Sequence, residues 1–190
     1  MTIMTSISID ISLVTAKLLR DKAYLASFPE YYQLASVTEN GLWHNNQNVL
    51  DQVIDVYSGL ETVLRFNDLE VDQKDVLKKY LSEVIGNQTR QNILKVATLL
   101  HDIAKTDVLV KRLDGTAGCP GHELIAAGRV KNFAERFDLD SKAESNVERI
   151  VRYHGFISEI LNLMIANQDK EKYFRIFKEI VNDTAVELTL

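Results

Sequence analysis

Four histidines stand in the sequence, at positions 44, 101, 122 and 154, and three of them sit where chemistry is commonly placed. His101 is followed directly by Asp102 in the run LLHDIAK. An imidazole beside a carboxylate suits Mn, Fe, Ni, Zn and similar divalent ions. Neighbouring side chains on a helix point about 100° apart. His101 and Asp102 therefore share one ion only in a cleft beside their ridge; otherwise they contact one ion each, or Asp102 bridges two. Lys105 lies one turn beyond His101 and offers a point charge for a phosphate oxygen. His122 opens a helix after a Gly-rich loop, and His154 closes one before Gly155. Element ends are where functional residues concentrate. Such a set supports metal-assisted hydrolysis: an ion acidifies a bound water and polarises a phosphoryl oxygen. A nearby carboxylate or histidine takes the proton.

The elements that must hold these residues are helical. Gln47 to Phe66 carries apolar residues at steps of three and four, the mark of an amphipathic helix. Val76 to Ile85 repeats the pattern more weakly, with Gly86 as its stop. The next helix, capped by Asn87 or Thr89, has Ile93, Leu94, Val96, Ala97, Leu99, Leu100, Ile103 and Ala104 around most of its circumference. A helix apolar on nearly every side belongs at the centre of a fold. The loop DGTAGCPG follows at 114–121, and a helix is expected from His122 to about Phe137. Ser141 with Glu144 matches a capping box for the helix that ends at His154. Two further helices are expected near Ile157–Ala166 and Lys170–Leu190. No useful strand alternation appears after the first fifteen residues. The expected fold is all-α, with six to eight helices around one buried helix, in a single domain spanning 1–190.

Composition narrows the partners. The chain has 190 residues, 46% hydrophobic and 26% charged, an ordinary globular balance. Its net charge of −5 does not favour a nucleic-acid backbone as ligand. The single cysteine, Cys119, can form no intrachain disulfide. The N-terminal MTIMTSISIDISLV lacks the basic start and cleavage site of a signal peptide, and no apolar run reaches the roughly 20 residues that span a bilayer. The expectation is a cytoplasmic protein with no membrane partner. The aromatic-rich N-terminal third leaves a homodimer open, and Trp43 and Tyr31–Tyr32 read as packing.

LLHDIAK resembles the LLHDIGK signature of the HD phosphohydrolase superfamily. The segment DGTAGCPGHELIAAGRV, 114–130, is similar to the one that follows that signature in the HD domain of bacterial CCA-adding tRNA nucleotidyltransferases. VERIVRYHGF, 147–156, is similar to the next family helix with its histidine. The likeness covers roughly residues 28–190, and no nucleotidyltransferase portion accompanies it. It implies a stand-alone, metal-dependent phosphohydrolase, a phosphomonoesterase or phosphodiesterase acting on a nucleotide or small phosphorylated metabolite. The implied cofactor is one or two divalent ions (Mn, Ni, Zn, Fe or Mg). His101 and Asp102 match the paired ligands, and His122 and His154 match the histidines of a second ion. Asp102 and Lys105 are the catalytic candidates.

Two positions depart from the family pattern. The first metal histidine of the family, in the pattern H-x-x-x-V, falls on Gln52, a poor ligand for a transition metal. His44, eight residues earlier, lies outside that frame and reads as a loop histidine. The family also closes its site with an aspartate after a Leu-rich run on the last helix. The sequence stops at VELTL, about where that run begins, so either the chain is a fragment or that ligand is absent. Asp183, the nearest carboxylate, falls slightly too early. These departures motivate an alternative: a catalytically weakened module that binds a nucleotide or a partner protein without turnover.

Overall fold

The computed structural model describes residues 8–40, 47–167 and 169–190. His44 and Trp43 lie outside them. Two single-turn helices, α1 (Ala16–Arg20) and α2 (Pro29–Gln33), precede α3 (Val49–Val63), α4 (Val71–Ser82) and α5 (Arg90–Leu100). A short α6 (Lys105–Val108) is followed by α7 (His122–Arg129), α8 (Ser141–Tyr153), α9 (Phe156–Asn167) and α10 (Lys170–Val181). Among the described residues the only strands are two-residue pairs, Val84–Ile85 with Gln88–Thr89 and Val110–Lys111 with Ala117–Gly118. The fold is all-α. No helix among the described residues is long and apolar enough to cross a membrane.

α5 is the central helix. Thr89 caps it by accepting a hydrogen bond from the Asn92 amide. Its buried residues include Ile93, Leu94, Val96, Ala97, Leu99 and Leu100, on almost every side. It packs against α3, α4 and α8. Burying each such Ile, Leu or Val stabilises the fold by about 1.5–3 kcal/mol. α8 presents Ala143, Val147, Ile150 and Val151 to the core, a stripe at helical spacing that continues to His154 one turn on. Tyr31 and Tyr32 are buried, with their rings packed edge to face.

Several boundaries differ from the sequence expectation for local reasons. Gly86 does not stop a helix; it takes a φ of 65° at the turn of the Val84–Thr89 hairpin. A Cβ there would lie 2.0 Å from the Asp140 carboxylate, so glycine is required. Asn87 in that turn accepts from the Asp140 amide at 3.0 Å, docking the hairpin on the start of α8. Asp140 itself, not Ser141, caps α8, accepting from the amides of Lys142 and Ala143. The helix from His122 tightens into a 3-10 turn after Arg129 rather than running to Phe137. The last helix ends at Val181, where Asn182 takes a φ of 54°. That break turns the final residues back, so that Glu187, Leu188 and Leu190 border a cavity on α3, α5 and α8.

Candidate metal centre

His101 lies directly after α5, where the buried helix delivers it to a point between α8 and the start of α7. Gly121, with a φ of 73°, makes the left-handed turn that starts α7 at His122. His154 follows the last residue of α8. The three rings come together: centroids are 4.9 Å apart for His101 and His154, and 5.3 Å for His122 and His154.

Each imidazole is anchored in the same way. Nδ1 sits 2.8 Å from Thr98 O for His101, 2.8 Å from Cys119 O for His122 and 2.7 Å from Val151 O for His154. A carbonyl only accepts, so each Nδ1 carries the proton and donates it. In the neutral ring Nε2 is then a bare lone pair. A backbone carbonyl holding the far nitrogen is the usual arrangement behind a metal-ligating histidine.

The three Nε2 atoms surround one carboxylate. Asp102 is 2% exposed. Its Oδ2 lies 3.3 Å from His101 Nε2, and its Oδ1 lies 3.0 Å from His122 Nε2 and 4.0 Å from His154 Nε2. The 3.0 Å approach is not aligned as a hydrogen bond, and His122 Nε2 is buried without such a partner among the described residues. A buried lone pair aimed near a carboxylate is costly unless a cation joins them. His101, Asp102 and His154 form one group whose ligand atoms lie within 4.8 Å of one another, and His122, Glu123 and His154 form a second. This donor set, nitrogen-rich with carboxylate oxygen, fits a divalent transition metal.

Electrostatics follow the geometry. Burial disfavours the ionised Asp102, yet His101, His122 and Lys105 outweigh it and hold the carboxyl well below its ordinary range. Burial likewise opposes a charged His101, but Asp102 beside it raises the ring's pKa. Burial and the neighbouring His101 push His154 down to about 4.

Lys105 is buried too. Its ammonium donates to Asp102 Oδ2 at 3.1 Å and to Glu39 Oε2 at 2.5 Å. Burial works against this charge, but the two carboxylates keep its pKa above the ordinary lysine value. Glu39, 5% exposed, was not singled out from the sequence because it lies in an irregular stretch with no periodicity to mark it. Glu123 was also missed, although its place beside His122 at a helix start was a usable signal. Cys119 is buried and donates its thiol to Lys105 O at 3.6 Å; burial and Glu39 push its pKa up to about 12, so it stays a thiol. Asp183 is held by Arg149 at 3.2 Å and Arg90 at 3.8 Å instead of joining the histidines.

The HD domain model matches residues 76–180, more than half of the chain. The chain belongs to the HD domain family. HD domains bind divalent metals and are in general metal-dependent phosphohydrolases. In this HD domain the matched span runs from α4 to α10 and holds all three clustered histidines, whereas Gln52 on α3 lies before it. A comparison with curated proteins finds no match.

Proposed function

We propose that the chain is a cytoplasmic hydrolase that cleaves a phosphomonoester or phosphodiester of a nucleotide or small phosphorylated metabolite. The observation that carries this reading is the convergence of three Nε2 lone pairs on the buried Asp102. The HD family match over residues 76–180 is a further reason to expect phosphate handling. His101, Asp102, His122 and His154 are the residues that would hold the metal. When bound, a divalent ion supplies Lewis acidity, acidifying a water and neutralising charge on the phosphoryl group.

The protein's own groups then have distinct tasks. In hydrolysis the water oxygen bonds to phosphorus, the phosphorus–oxygen bond to the alcohol breaks, and the alcohol leaves with a proton. Asp102 is too acidic to be an efficient base, and its task is to ligate. Glu123, a partly exposed carboxylate in the second ligand group, is assigned to take the proton from water. Lys105 is committed to Asp102 and Glu39, so its assigned task is positioning: it keeps Asp102 ionised and fixes its oxygens.

Release of p-nitrophenol from p-nitrophenyl phosphate and bis-p-nitrophenyl phosphate, and of phosphate from 5′-nucleotides, tests the reading. Manganese-loaded protein is expected to hydrolyse at least one, with loss in Asp102→Asn. Gln52 favours a second reading, a binding module with a weakened metal centre; it predicts nucleotide binding without release of phosphate.

A further inference from the structure

A cavity of about 380 Å³ opens beside the histidine cluster, within the size range of small-molecule sites. His101 and His154 form part of its wall, so it is continuous with the candidate metal centre. The rest is largely aliphatic: Leu60 and Val63 from α3, Leu94 from α5, Ile150 from α8, and Leu188 and Leu190 from the returning C-terminal residues.

Its polar groups are few and already engaged. The Thr98 hydroxyl donates to Leu94 O at 2.9 Å. Glu187 accepts from Arg90 at 2.9 Å and from the Tyr80 hydroxyl at 2.9 Å. Among the described residues lining the cavity there is no lysine or arginine. A second phosphate would meet no cation there and would face the Glu187 carboxylate. Sugar hydroxyls and base edges would leave water for a wall with little to offer them, which costs binding.

We propose that this cavity holds the alcohol part of the substrate and selects phosphoesters of a compact, uncharged apolar group, alkyl or aryl, over nucleotides and polyphosphates. The proposal rests on the phosphohydrolase reading for the place of the phosphoryl group, at His101 and His154, and narrows that reading's substrate class. Shape and apolar contact give the selection, so affinity rises with the apolar area buried.

The test is calorimetric titration of the manganese-loaded full chain with methyl-, propyl-, butyl- and phenylphosphonate, and with glycerol phosphate and adenosine diphosphate. Each methylene is expected to tighten binding about fourfold, with the aryl compound far above methylphosphonate and the two hydrophilic ligands weakest. Gly59 borders the cavity, and a Cβ there meets no heavy atom within 4 Å. Gly59→Trp should therefore fold and flatten the ladder by filling the mouth. A flat ladder in the wild type, tighter binding of adenosine diphosphate, or no binding by any phosphonate overturns the proposal. A steep ladder without hydrolysis of any phosphoester leaves the cavity assignment standing and defeats the catalytic reading. Hydrolysis with a flat ladder does the reverse.

Discussion

His122 Nε2 lies 3.0 Å from Asp102 Oδ1, buried, and with no hydrogen-bond partner among the described residues. Its other nitrogen is committed to Cys119 O, so the ring faces the carboxylate with a lone pair. A cation between them relieves this, and binding to the folded state alone stabilises it by about 4 kcal/mol at a thousandfold excess over Kd. His122→Ala is expected to weaken metal binding on the order of tenfold or more. Thermal unfolding with and without manganese checks this: the metal-induced rise in Tm should shrink in the variant. An equal rise in both proteins would remove His122 from the centre.

The buried Lys105 is balanced by Asp102 and Glu39. Removing it leaves two carboxylates in a dry site. Lys105→Met should destabilise the metal-free chain by about 3–5 kcal/mol. Adding Glu39→Gln should recover part of that loss, because the two sites share one network. Urea unfolding of the single and double variants measures the coupling; strict additivity would contradict a shared network.

Neighbouring histidines should shift stability with pH in opposite senses. His154 has a folded pKa of about 4, below the unfolded value near 6.5. Its contribution is therefore present above the unfolded value and is lost as pH falls from about 6.5 through 4. His101 has a raised pKa, so its contribution is present below about 6.5 and fades as pH rises through its folded value. In metal-free protein, His154→Gln should flatten the loss of stability between pH 7 and 5, while His101→Gln acts through both rings, because it also removes a charge that lowers His154. Urea midpoints at the two pH values decide; an unchanged slope in His154→Gln would contradict the assignment.

At the far end of α5, Arg90 holds the returning chain. Its Nε donates to Glu83 at 3.1 Å and its Nη1 to the buried Glu187 at 2.9 Å. Arg90→Met leaves Glu187 buried and without its cation, at a cost of about 3–5 kcal/mol. Arg90→Lys should recover only part, since an ammonium lacks the planar fork that reaches both acids. Thermal denaturation of the two variants orders them; an Arg90→Lys protein as stable as the wild type would contradict the two-pronged grip.

If α3 brings Gln52 to the place of a family ligand, Gln52→His adds an imidazole and should tighten manganese binding on the order of tenfold. Calorimetry gives the answer, and an unchanged Kd would mean that α3 supplies no ligand.

The helices, the central place of α5 and the company of His101 with Asp102 were legible because hydrophobic period and a short motif carry them locally. The hairpin at Gly86 was not, because a glycine after a helical pattern signals a helix stop as readily as a turn. The cap at Asp140 was hidden by the Ser141–Glu144 spacing, which fits a capping box one residue later. The partnership of Lys105 with Glu39 spans 66 positions and has no periodic signature. The shared Nδ1 anchoring of the three histidines is a property of backbone placement, visible only once the helix ends are in space.

Metal content is the most direct test of the centre. Purified protein is incubated with Mn, Ni, Zn and Fe salts in turn, desalted and analysed by mass spectrometry beside His101→Ala and Asp102→Asn. Near-stoichiometric metal in the wild type, lost from both variants, is the predicted result. Wild type that retains no metal, or variants that retain as much as wild type, would contradict it.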